Sequence, residues 1–287
     1  MTAVLGEVLR KSTEHLERKG SGTPRLDAEL LLAHVLGVQR IELYMALDRL
    51  LTPPELDATR ELLARRAARE PLQYVLGEWG FRRLLLLVDR RALIPRPETE
   101  TLVERALGLL TGIEAPRVLD VGTGTGAVAL AIADEHPGAR VTSIDVSEVA
   151  LELAAENVAR TGLPVELVRH DLFDGLPGGP WDLVVSNPPY VDADQLAGLQ
   201  PEVRDWEPHA ALVAEGALEA VARGAAPVLK PEGALVLEIG DGQAATTVAQ
   251  LGALGFVSVI VTVDLAGRDR VVEGTAGGSA HTAAPRA

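Results

Sequence analysis

Ser186-Asn187-Pro188-Pro189-Tyr190 follows directly on the apolar run Asp182-Leu183-Val184-Val185, so an amide, two prolines and a phenol stand where a strand would end. Those groups suit chemistry on a planar amide or an exocyclic amine. Such a nitrogen is a poor nucleophile because its lone pair is delocalised. A site that uses it must hold both N–H groups and aim the nitrogen at an electrophile. Asn187 offers a side-chain carbonyl and Pro188 a backbone carbonyl, and the proline after each biases it toward an extended conformation, which pre-organises both acceptors. Tyr190 can lie against the flat group, and the two carbonyls stabilise positive charge as it arrives on nitrogen, with no strong base required before transfer. Catalysis is therefore expected from Asn187, Pro188 and Tyr190, and substrate binding from Asn187 through Tyr190. A turn that merely ends a strand would explain the two prolines but gives the flanking Asn and Tyr no task.

The donor of the group to be transferred is suggested upstream. Val118-Leu119-Asp120-Val121 runs into Gly122-Thr123-Gly124-Thr125-Gly126, after which AVALAIA begins a helix. Glycines there let a ligand approach the backbone, and the amides and positive helix end are expected to face the crevice. The next strand ends in Asp145, 19 residues beyond Gly126, where a carboxylate can accept from two ribose hydroxyls. Gly122-x-Gly124-x-x-Ala127 also satisfies the dinucleotide fingerprint, so the loop alone fits a nicotinamide cofactor or S-adenosylmethionine. Asp120 separates them: it would repel a pyrophosphate but attract the ammonium and sulfonium of S-adenosylmethionine. A third strand ends at His170-Asp171-Leu172-Phe173, where Asp171 can accept from an adenine amino group and Leu172 or Phe173 can cover its face.

These residues need a parallel sheet to hold them at one edge. From Thr99 onward helices and apolar strands alternate (RVLDVG, ARVTSID, PVELVRHD, WDLVVSNPPY), the rhythm of a sheet covered by helices. GALVLEIG, a helix after Gln243, VSVIVTVD and DRVV end it with an antiparallel edge hairpin. Residues 1–72 read as a small helical domain, with Val4, Leu5, Val8 and Leu9 at helical spacing, a stripe from Leu26 to Leu36 stopped by Gly37, and a helix opened by Thr52-Pro53-Pro54-Glu55 and running to about Arg69. Residues 73–95, broken by Gly77 and Gly80, read as a β-hairpin linker, 96–272 as the catalytic domain, and 273–287, rich in Gly, Ala and small polar groups, as a disordered tail.

Composition narrows the class. There are no cysteines, and the six histidines (15, 34, 136, 170, 209, 281) are scattered, so no metal site is expected. No apolar run reaches the roughly 18 residues of a membrane span, and the mixed-charge N-terminus is unlike a signal peptide, so the chain reads as cytoplasmic. Net charge is −14; residues 1–75 carry eleven charges of each sign, so the whole acidic excess lies beyond them. Such a region repels phosphate backbones, which makes nucleic acid a poor direct substrate.

With SNPPY and VLDVGTGTGAVALA, the segments EPLQYVLGEWGF (70–81), LIPRPETE (93–100), Glu207-Pro208, LEIGDGQ (237–243) and GRDRVV (267–272) make nearly the whole chain resemble the release-factor glutamine methyltransferases, the PrmC or HemK family. The resemblance implies a Rossmann-like, seven-stranded class I methyltransferase domain of α/β type with an N-terminal helical domain that docks class 1 peptide chain release factors. It implies methyl transfer from S-adenosyl-L-methionine to the amide nitrogen (N5) of the glutamine in their Gly-Gly-Gln motif; separately, a monomer is expected. Carried over, Gly122, Thr123, Gly124, Thr125, Gly126, Asp145, Asp171, Leu172 and Asn187 bind cofactor, Asn187, Pro188, Pro189 and Tyr190 hold the glutamine, and Arg96 and Glu98 shape the entrance. FRRLLLLV after Gly80 departs from the usual mixed sequence, and Leu172 stands where an aromatic is common.

The rivals explain less. An amino methyltransferase acting on a nucleic-acid base shares the Asn-Pro-Pro-Tyr chemistry but should carry a basic patch or an inserted reading domain. A nicotinamide oxidoreductase leaves Asn187 to Tyr190 without a task. A non-enzymatic binding module explains neither the loop nor the motif.

Overall fold

A computed structural model describes residues 3–277. The chain opens with β1 (Ala3–Val4) and α1 (Leu5–Arg18), followed by α2 (Pro24–Leu36), β2 (Leu50–Leu51), which pairs antiparallel with β1, α3 (Pro53–Ala67) and α4 (Leu72–Leu76). Local chemistry sets the ends. Gly37 in the left-handed region (φ 63°) stops α2. Thr52 and Glu55 form a reciprocal capping box at the start of α3, where Pro53 costs no hydrogen bond. Leu5, Leu9, Leu16, Leu31, Leu32, Leu43 and Leu51 bury the apolar faces.

The sequence then forms the hairpin β3 (Glu78–Phe81) and β4 (Leu84–Leu87), α5 (Thr99–Leu109), β5 (Arg117–Val121), α6 (Ala127–Glu135), β6 (Arg140–Asp145), α7 (Glu148–Thr161), β7 (Val165–Arg169) and β8 (Trp181–Ser186). After β8 come α8 (Pro201–Arg204), α9 (His209–Leu212), α10 (Ala217–Ala225), β9 (Leu229–Glu238), α11 (Ala244–Ala253), β10 (Phe256–Val263) and β11 (Asp269–Ala276). Seven strands make one sheet in the order β10-β11-β9-β8-β5-β6-β7. From β9 to β7 neighbours are parallel, while β11 runs antiparallel to both β9 and β10. The central strands are buried along most of their length, which is why their sequences are mainly apolar rather than alternating. One core packs α5, α6 and the hairpin's Phe81 and Leu86 on one face, and another packs α10, α11 and Trp181 on the other.

Two expectations from the sequence shift. The linker is not hairpin throughout: residues 72–76 form α4, closed by Gly77 in the left-handed region, and the strands occupy only 78–81 and 84–87. Residues 273–276 are strand and not tail, because β11 continues through Ala276 on ladder bonds to β9 and β10, and Glu273 is buried beneath Arg105 at 2.5 Å. Residues 278–287 lie outside the described residues.

The catalytic domain also lends a piece. Two compact units divide the chain as Met1–Glu78 with Leu199–Trp206, and Trp79–Gly198 with Glu207–Ala287. Within the first, Glu202 accepts from Arg69 at 2.8 and 2.5 Å and lies 2.9 Å from Arg66, which is itself buried and paired with Asp27 at 2.7 Å. Pairs so distant in sequence leave no local pattern to read.

Candidate active site

Strand order reverses between β5 and β8, since β6 lies on one side of β5 and β8 on the other. Loops leaving the carboxyl ends of two such strands diverge and open a crevice. The loop after β5 is Gly122 to Gly126 and the one after β8 is Asn187 to Tyr190, so the two motifs flank the same opening.

Gly122 (φ 78°), Gly124 (φ 54°) and Gly126 (φ 83°) all adopt the left-handed conformation that glycine takes without strain. At Gly122 a Cβ would meet nothing within 4 Å, so there backbone conformation, not crowding, demands glycine. Gly126 differs: a Cβ there would stand 3.3 Å from Leu130 and 3.5 Å from Ala154, which makes it a helix-packing residue at the start of α6. Four of the loop amides turn inward and not toward the crevice. Those of Gly122 and Thr123 donate to the Ile144 carbonyl, that of Gly124 to Asp145 Oδ2 at 2.9 Å, and that of Gly126 to the Thr123 carbonyl. Closing the loop on itself and on β6 engages four donors that an anionic pyrophosphate could otherwise use.

The charges beneath the loop are negative. Asp120 is buried, accepts from Ser143 Oγ at 3.3 Å, and has its pKa pushed up to about 6: burial raises it, the nearby Thr123 and Ser143 hydroxyls pull it back, and Asp145 repels it. Thr123 Oγ1 is itself buried without a well-formed hydrogen bond. Asp145 is also raised by burial, against the pull of the Gly124 and Ser147 amides. Two carboxylates held at a cost, beside an unsatisfied hydroxyl and a self-closed loop, fit a ligand with cationic groups and ribose hydroxyls better than one with phosphates.

Beyond β8, Ser186 is fixed by donation to the Val121 carbonyl at 2.7 Å. Asn187 is half-buried, and its Nδ2 donates to Thr99 Oγ1 at 3.2 Å, which leaves Oδ1 as the free end of the amide. Tyr190 is held at both ends. Its hydroxyl donates to Glu238 Oε1 at 3.2 Å, and its carbonyl accepts from Gln243 Nε2 at 3.1 Å, while Gln243 Oε1 accepts from the Gly240 amide at 2.9 Å. Burial and the neighbouring Glu238 carboxylate push the Tyr190 phenol well above its ordinary pKa, so it stays a neutral donor.

A cavity of about 260 Å³ joins the two motifs. Gly122, Thr123, Gly124, Thr125, Asp145, Asp171, Leu172, Asn187 and Pro189 all line it. Its far wall includes Ala92, Ile94 and Arg96 on one side and Pro208, Ala211 and Val213 on the other. Arg96 ties the two sides by donating to both oxygens of buried Glu207 at 2.6 and 2.8 Å. Tyr190 lines a neighbouring cavity of about 280 Å³ that shares Pro189 with the first.

Residues 7–77 match the PrmC N-terminal domain and residues 100–231 the methyltransferase small domain. A release factor glutamine methyltransferase from Deinococcus radiodurans is 45% identical over 273 residues, covering 93% of this chain and 97% of that protein. The one from Geobacter sulfurreducens is 42% identical over 277 residues, 94% and 96% of the two chains. The chain belongs to the release factor glutamine methyltransferase family. In fold it also resembles a crystal structure of a methyltransferase from Pyrococcus furiosus, at 19% identity and a TM-score of 0.50 over 77% of this chain and 98% of that one.

Against that family's pattern, the structure gathers most of the expected site around one cavity and leaves three members off it, of which Tyr190 lines only the second. Gly126 faces α6 and α7 instead, and Pro188 is buried and lines neither cavity. Leu172 and Phe173 both border the first; Leu172 leans on the apolar core while Phe173 is exposed. Glu98 stands exposed at the start of α5, and Arg96, not Glu98, makes the ion pair at the wall. Four side chains that organise the site carried no expected role: Thr99, Glu238, Gln243, and Asn157, which bonds the Thr125 carbonyl at 2.9 Å and both backbone groups of Leu87. Three of them lie within LIPRPETE and LEIGDGQ, segments visible as motifs whose side-chain tasks only folding reveals.

Proposed function

We propose that this chain transfers a methyl group from S-adenosyl-L-methionine to the side-chain amide nitrogen of the glutamine in the Gly-Gly-Gln motif of class 1 peptide chain release factors. The observation that carries the reading is the Asn187 amide, tethered through Nδ2 so that its oxygen is offered at the mouth of the cofactor cavity. The relatives named above are called release factor glutamine methyltransferases, which supports the substrate class.

S-adenosylmethionine, when bound, supplies a methyl group on a positively charged sulfur. Asp145 accepts from the ribose hydroxyls, Asp171 from the adenine amino group, and Leu172 or Phe173 covers the adenine face. Ionised Asp120 offsets the ligand's positive charge from beneath the loop. Asn187 Oδ1 and the Pro188 carbonyl accept the two N–H groups of the substrate glutamine, which directs its nitrogen lone pair into the cavity. As the nitrogen gains its fourth bond, both carbonyls stabilise the charge until one proton leaves to solvent. Tyr190 packs on the amide plane and excludes water. Residues 1–72 dock the factor, and the chain works as a monomer in the cytoplasm; no helix among the described residues is long and apolar enough to cross a membrane. The acidic excess beyond residue 75 favours a protein over a nucleic-acid substrate.

The test is transfer of labelled methyl from S-adenosylmethionine to a purified release factor, beside its Gln→Ala variant, tRNA and duplex DNA. Label is expected on the intact factor alone. Label on nucleic acid and not on the factor would move the chain to the base-methylating class.

A further inference from the structure

Glu238 closes β9 at the carboxyl edge of the sheet, buried, with Oε1 accepting from the Tyr190 hydroxyl and Oε2 lacking any well-formed hydrogen bond. The Thr99 hydroxyl lies close enough to favour its charged form. Thr99 in turn is the acceptor for Asn187 Nδ2. A carboxylate only accepts hydrogen bonds. The bond from Asn187 Nδ2 already uses a lone pair of Thr99 Oγ1, and a Thr99 proton turned toward the nearby Glu238 carboxylate reinforces that direction. Asn187 must then present its NH₂ to Thr99 and its carbonyl to the cavity. The reversed amide, which would put donors against a substrate that itself brings two N–H groups, is disfavoured at its far end.

We propose that Glu238 is a positioning residue for methyl transfer: through the Thr99 and Tyr190 hydroxyls, one buried carboxylate fixes which end of the Asn187 amide faces the substrate and where the Tyr190 ring lies. The inference rests on the acceptor role given to Asn187 above. The charged groups facing Glu238 are few. Arg270, from β11, is buried and donates to the Ile239 carbonyl and to Asp264, which neutralises part of its charge; Glu98, at the start of α5, opposes ionisation. With burial the larger influence, the carboxyl titrates at about 6, so the constraint is in force at neutral pH and is released as the site acidifies.

The sequence supplies its own probe, because Asn157 and Asn187 are the only asparagines in the 287 residues. Selective ¹⁵N-asparagine labelling of the full chain gives two side-chain amide signals, and Asn157, buried and bonded to Leu87 and Thr125, is the internal reference. In Glu238→Gln, whose amide can donate as well as accept, the Asn187 amide protons are expected to shift and exchange at least several-fold faster while those of Asn157 stay in place. Turnover should fall 10- to 100-fold with S-adenosylmethionine affinity within about twofold of the parent. Thr99→Val, which removes the hydroxyl, should reproduce both defects. In the parent protein the Asn187 signals should change between pH 7.5 and 5, and Glu238→Gln should abolish that change. Unmoved Asn187 signals in Glu238→Gln, or moved signals with parental turnover, overturn the proposal. If the parent fails to label a release factor, the substrate reading fails by itself, since the amide signals are read without substrate.

Discussion

Arg96 Nη2 donates to both carboxylate oxygens of Glu207, at 2.6 and 2.8 Å, and so joins the stretch before α5 to the segment that leads into α9 across the wall of the cofactor cavity. Glu207 is buried and Arg96 only partly so. Burial raises the Glu207 pKa, and Arg96 with the Ile94 amide pulls it back. The pair thus closes the cavity wall with a charge that cannot stand alone.

Removing the cation should therefore cost more than removing the charge. Arg96→Ala leaves Glu207 buried and uncompensated, a loss of roughly 2–3 kcal/mol given that Arg96 itself is partly solvated, whereas Glu207→Gln keeps an acceptor and should lose about 1 kcal/mol or less. Denaturant titration reads the order, and KM for S-adenosylmethionine should rise in Arg96→Ala first. Equal stability in the two variants would contradict the account.

Asp145 does two things with one carboxylate, because Oδ2 takes the Gly124 amide and Oδ1 the Ser147 amide, each at 2.9 Å, while the group still lines the cavity. Asp145→Ala is expected to weaken S-adenosylmethionine binding by about 1–3 kcal/mol, the scale of a lost hydrogen bond to a charged acceptor. Asp145→Asn should fall between the two. Titration calorimetry decides, and unchanged affinity in the alanine variant would remove Asp145 from the site.

The sequence disclosed the site to the depth that local pattern reaches. Alternating helices and apolar strands disclosed the sheet, and the positions of Gly122 to Gly126 and Asn187 to Tyr190 at strand ends disclosed the crevice. Side-chain partnerships across long separations stayed hidden: Asn187 with Thr99 is 88 residues apart, and Tyr190 with Glu238 is 48. The inward turn of the Gly122 and Thr123 amides is hidden for the same reason, since their partner is the Ile144 carbonyl on another strand. Residues 199–206 look like any loop of the catalytic domain until Glu202 meets Arg66 and Arg69.

Asp120 makes stability depend on pH with a definite sign. Its folded pKa of about 6 stands above the ordinary 3.8, so the fold favours the neutral form, and that contribution is whole below about pH 4 and lost as pH rises through about 6. At pH 7.5 the buried charge then costs on the order of 3 kcal/mol, from about 1.4 kcal/mol per pKa unit. Asp120→Asn should melt several degrees above the parent at pH 7.5, with the gap narrowing toward pH 4, and should bind S-adenosylmethionine more weakly because the cationic ligand loses its counter-charge. A melting difference that does not vary with pH would sink this assignment.

Gly240 tests the placement of Tyr190 without touching its chemistry. A Cβ at residue 240 would stand 3.0 Å from Tyr190 Cδ2 and 3.1 Å from Gln243 Oε1, closer than ordinary contact, and Gly240 is not among the glycines with positive φ, so crowding is the only objection to alanine there. The strand end cannot retreat, because Ile239 N is bonded to the Arg270 carbonyl. The ring must give way instead, and with it the Gln243 side chain that holds the Tyr190 carbonyl. Misplacing a reacting partner by a few tenths of an ångström to one ångström costs about tenfold to a hundredfold in rate. Gly240→Ala should accordingly lower turnover by that order, leave S-adenosylmethionine affinity intact because the glycine loop and Asp145 are untouched, and cost about 1–2 kcal/mol of stability as an overpacked contact. Single-turnover methyl transfer beside calorimetric cofactor binding separates the two effects; a variant that loses cofactor affinity and keeps its transfer rate would show that Tyr190 serves the cofactor cavity and not the substrate amide.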